Sequence, residues 1–320
     1  MPEGDSVWRT ARKLQEALSG RRLLDADLRW PNIATARLAG MTVIETVPRG
    51  KHILTRLDSG WTLHSHLRMD GSWVIRRTST ELDEGPSRQS RNRGGTTLRQ
   101  ARGSSPEAQE SSPQAFQARG ASRRARQPSV PLRMSGRRPE SRGGGFVRAV
   151  LVGTDYTAIG VDLGMLDLVR TSDERTLVGH LGPDLLDPDF DAALAIANLA
   201  RAEGTIGAAL LDQTNLAGIG TIWASETLFA ERLWPWTPVA ALPPDTLARL
   251  VGRAQRFLLA SIRQSVPSST GSTRRGHTSY VHGRAGRPCR RCGGPIRVAQ
   301  IGPPTRERPM FHCPVCQPEN

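Results

Sequence analysis

Four cysteines carry the most specific chemical signal in the chain. They stand as Cys289-x-x-Cys292 and Cys313-x-x-Cys316, with twenty residues between the pairs. Two-residue spacers let each pair close a knuckle, and four thiolates suit tetrahedral zinc. Such a set leaves no open position for water, so the one zinc ion expected here is structural. Two disulfides or free thiols are the alternative. A redox Cys-x-x-Cys belongs beside a βαβ unit, and no such pattern is present. The same region holds Arg287, Arg290, Arg291, Arg297, Arg306 and Arg308, a set that fits either a phosphate-binding edge or a solvated face.

The second chemical feature is the start, Met1-Pro2-Glu3-Gly4-Asp5. Removal of the initiator methionine would leave Pro2 with a free secondary amine. An α-amino group titrates near 8, roughly two pH units below lysine. Enough neutral amine is then present to attack an aldehyde-like carbon and form a Schiff base, with Glu3 as general acid/base. From the residues alone, the stretch reads first as an ordinary helix N-terminus with favourably placed acids. Lysine chemistry has two candidates, Lys13 and Lys51, because every other basic side chain in the Lys+Arg total of 44 is arginine.

These groups need a scaffold, and 320 residues supply enough chain for two domains. The formal net charge of +14 excludes an acidic solvating chain and makes a polyanion the first partner to consider. No apolar run approaches the roughly 18 residues of a membrane span. The N-terminus places acids where a signal peptide carries basic and apolar residues. A cytoplasmic protein is the expectation.

Residues 5–19 place Val7, Trp8, Ala11, Leu14 and Leu18 at helical spacing, with Gly20 as the stop. From 21 to 77 the pattern turns to short β-rich runs (TVIETV, HILTRL, WTLHSHL, GSWVIR), and a second β group covers 146–169. Together they predict a small antiparallel sheet domain with a leading helix. Between the groups, residues 78–142 are rich in Ser, Arg, Gln, Gly and Pro with a single aromatic, Phe116. That composition is expected to be a disordered insert, either inert or an electrostatic tether for DNA. Helical periodicity returns over 189–202 and 243–265. Between these, LLDQTNLAGIGTIWASETLF predicts helix, glycine turn, helix. Free amides at the start of the second helix, around Gly220 and Thr221, would form an anion site and hence a second phosphate clamp. The expected division is 1–182, 183–275 and 276–320.

In combination these stretches resemble the formamidopyrimidine-DNA glycosylase/endonuclease VIII family. The resemblance rests on MPEGDSVWRTARKL, RGKHIL (49–54), HSHLRMDGSW (64–73), GVDLG (160–164), HLGPDLL (180–186), LLDQTNLAGIGTIWASE and the four-cysteine finger, in that order. It covers 1–77 and 143–320, and the MPEGD start resembles the endonuclease VIII branch in its actinobacterial form. The resemblance implies an α+β chain: an N-terminal β-sandwich with a leading helix, a helical domain with a helix-two-turn-helix, and a zinc finger. It implies a monomeric bifunctional glycosylase/AP lyase acting on double-stranded damaged DNA. Pro2 would attack C1′ of a flipped nucleotide, with Glu3 as acid/base, Lys51 on phosphate and Arg308 gripping the phosphates that flank the lesion. Arg68, Met69 and Asp70 fall where the family inserts void-filling side chains, and Met69, apolar and unbranched, is the expected wedge. Oxidised pyrimidines are the expected substrates; the alternatives are oxidised purines, or a weakened DNA-binding paralogue. Two departures stand out. Thr221 replaces the family's phosphate-binding asparagine, and the finger hairpin is longer, with Gly302-Pro303-Pro304 as the extra turn.

Overall fold

A computed structural model describes residues 2–78 and 145–319; the insert expected over 78–142 lies, Thr78 apart, outside the described residues. The chain opens on α1 (Gly4–Leu18), whose buried side carries Val7, Ala11, Leu14 and Leu18. Fully burying each of the larger of these contributes about 1.5–3 kcal/mol, which fixes the helix on the strands that follow. Those strands are β1 (Leu23–Leu28), β2 (Val43–Arg49), β3 (His52–Leu57), β4 (Trp61–His66), β5 (Ser72–Arg77), β6 (Val147–Gly153), β7 (Tyr156–Val161) and β8 (Met165–Arg170).

Sequence patterning predicted a small antiparallel sheet domain with a leading helix and the resemblance a β-sandwich, and the strands form the two sheets that a sandwich needs. One has the order β2-β3-β4-β8 and the other β1-β6-β7-β5, antiparallel throughout. Strand β1, LLDADL, escaped the pattern because its middle is acidic and exposed, with leucines buried only at its ends. Side chains from both sheets and α1 share one core, which includes Leu14, Leu18, Leu23, Ile53, Leu63, Leu151 and Leu166. This is a sandwich in which the leading helix is part of the filling.

After a short α2 (Arg175–Val178) come α3 (Ala192–Arg201), α4 (Ile206–Leu211), α5 (Thr221–Ala230) and α6 (Pro244–Ile262). Helix α5 is apolar on nearly every side and buried from Trp223 to Phe229, so it forms the axis of the helical core, packed by Leu210, Leu250 and Leu258. The last element is a hairpin of β9 (Arg297–Ile301) and β10 (Arg308–His312), whose Ile301 and Met310 plug into that same helical core. The extra residues Gly302, Pro303 and Pro304 do lie in its turn.

Candidate active site and metal centre

The site is built where α1 meets α5. Glu3 precedes α1 and is fully buried. Its carboxylate meets backbone amides 217 and more positions along the chain: Oε2 accepts from Gly220 N at 2.8 Å and Trp223 N at 3.3 Å, and Oε1 accepts from Ile222 N at 2.7 Å. A negative charge thus sits on the positive end of α5. The backbones touch as well, Gly4 N donating to Gly218 O at 2.8 Å. No side chain fits there. A Cβ on Gly4 would lie 2.9 Å from Gly218 Cα, and one on Gly220 would lie 2.6 Å from the Glu3 carboxyl carbon.

This corrects one expectation. The amides around Gly220 were expected to clamp a phosphate, but the anion they hold is the chain's own Glu3. Thr221 itself lies inside the first turn of α5, 5% exposed, while Gly220 occupies the cap position.

Burial pushes the Glu3 carboxyl up to about 7, with the Lys51 charge and the amides of Ile222 and Trp223 pulling the other way. Lys51 stands in the turn between β2 and β3. Burial brings its ammonium down to about 8, with Glu3 opposing and Arg308 reinforcing the shift. Lys51 is therefore within electrostatic reach of both Glu3 and Arg308, although the three come from the sandwich and the finger hairpin. Pro2 adjoins Glu3 and is half-buried, and Arg308 is exposed at the start of β10.

Three residues that position this site had no role in the sequence reading. Asp184 is buried and accepts from Gly50 N at 2.6 Å and Leu186 N at 3.0 Å. It ties the Lys51 turn to the segment whose Leu185 N donates to Ala217 O. Asp5, also buried, accepts from Ser261 Oγ at 2.5 Å and so fastens α1 to α6. Beside Lys51, buried His64 pairs through Nδ1 with Asp167 Oδ2 at 2.9 Å and through Nε2 with His52 Nδ1 at 2.8 Å. Burial, then the neighbouring imidazoles and Lys51, takes His52 down to about 3. This imidazole adds no positive charge next to Lys51 at neutral pH.

Arg68, Met69 and Asp70 form the exposed tip of the β4–β5 loop, with Met69 57% exposed and not buried in a strand. On the finger, Arg290 is turned inward onto the carbonyls of Ser279 and Gly276, and Arg291 lies 4.2 Å over the Phe229 ring. Two of the six finger arginines thus hold the finger together.

The four cysteines converge. Their sulfurs lie within 4.8 Å of one another, with Cys292 to Cys313 at 3.5 Å and Cys289 to Cys316 at 3.9 Å. Tetrahedral zinc with bonds of about 2.3 Å separates its sulfurs by about 3.8 Å, whereas a disulfide needs about 2.05 Å. None of the four is disulfide-bonded. Donor type and spacing both fit a metal ion.

Comparison with known proteins gives these features a context. The chain is 41% identical to a probable endonuclease 8 2 of Streptomyces coelicolor over 99% of its own length and 94% of the relative's. The chain belongs to the formamidopyrimidine-DNA glycosylase/endonuclease VIII family. Two of the family's signatures match: the formamidopyrimidine-DNA glycosylase N-terminal domain over residues 1–119 and the H2TH domain over 181–272. A DNA-(apurinic or apyrimidinic site) lyase of Mycolicibacterium smegmatis is 34% identical over 99% of both chains. The fold is that of Lactococcus lactis formamidopyrimidine-DNA glycosylase, a structure solved with abasic-site DNA, at a TM-score of 0.69 and 20% identity, covering 99% of this chain and 100% of that one. The strands within 23–77 and 147–170 form the β-sandwich, and α4 and α5 lie within the residues that match the H2TH domain. Among the described residues no helix is long and apolar enough to cross a membrane.

Proposed function

We propose that the chain is a bifunctional DNA glycosylase and AP lyase that removes oxidised bases, pyrimidines ahead of purines, from double-stranded DNA. The observation that carries this reading is Glu3, a buried carboxyl raised to about 7 on the α5 amides and within electrostatic reach of Lys51, which in turn feels Arg308. A carboxyl at that value is present in both protonation states at neutral pH, as a group that both gives and takes protons requires. The relatives named endonuclease 8 and AP lyase support the same assignment.

With Met1 removed, the neutral amine of Pro2 attacks C1′ of the extruded nucleotide. The bond from C1′ to the base breaks, and its electron pair leaves with the base, which takes up a proton. Glu3 gives its proton to the ring oxygen as the sugar opens. The amine loses its one proton to solvent on bonding to C1′, and its lone pair then forms the C1′–N double bond of the iminium as the ring oxygen leaves C1′. The iminium acidifies C2′–H, and loss of that proton expels the 3′ phosphate; a second elimination expels the 5′ phosphate. Lys51 and Arg308, cations that feel one another, hold the phosphates on either side. Met69 fills the space the lesion leaves, with Arg68 and Asp70 beside it, and the Gly220–Thr221 segment supports Glu3.

Cys289, Cys292, Cys313 and Cys316 hold one zinc ion, which supplies a structural cross-link and no open coordination site. We retain 1–182, 183–275 and 276–320 as the functional division, with a cytoplasmic monomer as the working form.

The experiment is incubation with borohydride of the wild-type chain and Pro2→Gly on duplexes containing thymine glycol, 8-oxoguanine or an abasic site. The proposal expects a covalent adduct with wild type only, and faster release of thymine glycol than of 8-oxoguanine. The reverse order assigns the purine branch. Binding without any adduct leaves a silent damaged-DNA binder.

A further inference from the structure

The loop between β4 and β5 is fixed in advance on the face of a glycine. Gly71 N donates to Leu67 O at 2.9 Å, closing the loop on itself, and Gly164 N donates to His66 O at 2.9 Å. Between them, Arg68 N donates to His66 Nδ1, also at 2.9 Å. Burial takes His66 down to about 4, so this acceptor keeps its lone pair across the working pH range. Arg68 itself has a φ of 51°, in the left-handed region that long side chains seldom adopt. Such a conformation persists only where surrounding contacts impose it.

The imposing contact is Gly164. The aliphatic stem of Arg68 lies in the space that a side chain at 164 would fill. A Cβ there would stand 2.4 Å from Arg68 Cγ, 2.5 Å from Cδ and 2.6 Å from Cβ. The clash reaches the root of the side chain, so bending the guanidinium end cannot relieve it. The loop residues are therefore not equivalent. Arg68 is seated, and Met69, 57% exposed at the tip, is the apolar group left facing water.

We propose that Gly164 and Arg68 form a steric lock that holds loop 67–71 in its inserting shape, so that Met69 alone enters the stack when the damaged base leaves. Gly164 and Arg68 are positioning residues in this account, and the account rests on the glycosylase reading above. A loop ordered before contact loses less conformational freedom on insertion. An unbranched apolar side chain then fills the vacated step.

The test compares wild type, Gly164→Ala, Arg68→Gly, the double variant and Met69→Ala on two substrates. One is a thymine-glycol duplex. The other is a single-stranded abasic oligonucleotide, which has no stack to refill and reports the chemistry without the loop. Gly164→Ala should slow duplex excision by about tenfold or more while its single-strand cleavage stays within about twofold, and Met69→Ala should slow duplex excision to a similar extent. Arg68→Gly removes the stem and suits a positive φ, so the double variant should excise as fast as Arg68→Gly alone. Losses that multiply in the double variant overturn the lock, as does a Gly164→Ala enzyme that matches wild type. Thermal unfolding tests the lock even without turnover: Gly164→Ala should lower Tm and Arg68→Gly should restore it. An unchanged Tm in Gly164→Ala overturns the lock. Failure of the wild-type chain on both substrates overturns the glycosylase reading instead.

Discussion

Glu226 offers a direct way to test how the finger is held. It is fully buried in α5, and its two oxygens gather four donors from the segment leading into the finger. Oε1 accepts from Val281 N at 2.9 Å and His282 N at 2.8 Å, and Oε2 accepts from Tyr280 N at 2.9 Å and from the Ser269 hydroxyl. Glu226→Gln keeps the shape and removes one acceptor. The best arrangement points the amide oxygen at Val281 and His282 and lets the Ser269 hydroxyl rotate to accept from the amide. Tyr280 N–H is then left unpaired. An unpaired buried donor costs about 1–3 kcal/mol, and losing the charge from the other two bonds adds about 1 kcal/mol. A net loss near 3 kcal/mol lowers Tm by roughly 6–12 °C in a chain of this size. The finger should keep its metal, since no cysteine is touched, but Arg308 loses its fixed bearing and abasic-site cleavage should fall. Calorimetry, metal content and cleavage rate measured together check this. A Tm within about 2 °C of wild type would show that these donors find other partners and would refute the reasoning.

Further predictions concern the site itself. Because the Glu3 carboxyl is raised from 4.5 to about 7, its contribution to stability is complete below 4.5 and is lost as pH rises through 7. That displacement corresponds to roughly 3 kcal/mol, so the pH slope of stability between 5 and 8 should flatten in Glu3→Gln; an unchanged slope contradicts the assignment. The rate of imine formation should fall on the alkaline side as Glu3 loses the proton it gives to the ring oxygen. Lys51→Met, which removes the charge holding the carboxyl down, should move that limb to higher pH, as a pH–rate profile will show. Asp184→Ala leaves Gly50 N and Leu186 N without their acceptor, at about 1–3 kcal/mol each. It should reduce kcat more than substrate binding, because the Lys51 turn is freed. A chelator strong enough to strip a four-thiolate site should abolish cleavage, and added zinc should restore it together with one bound ion per chain. Full activity in the stripped protein would remove the structural role.

The parts of this site that were legible in the sequence are those set by local spacing. Two Cys-x-x-Cys pairs declare their ligand geometry within a few residues, and α1 follows from apolar positions along one helix face. Pro2 and Glu3 gained meaning only from the resemblance, because a proline and an acid at a helix start are ordinary by themselves. The phosphate clamp around Gly220 was misjudged for a physical reason. A helix N-terminus shows in sequence, but the anion that satisfies it comes from 217 residues away. Asp5, Asp184 and Glu226 were equally invisible, since a buried carboxylate that organises backbone amides has the same letter as a solvated surface acid. The sandwich came from the resemblance, whereas the order β1-β6-β7-β5 pairs strands far apart along the chain, and strand patterning does not carry that information.

The central claim is that the amine of residue 2 becomes covalently joined to the sugar of the lesion. Borohydride reduction of the wild-type chain on a thymine-glycol duplex, followed by proteolysis and mass analysis of the adduct, tests it directly. The account predicts a protein lacking Met1 and a sugar-derived mass on the peptide that begins at Pro2. A sugar mass on Lys51 or Lys13, or no adduct while strand cleavage proceeds, would contradict it.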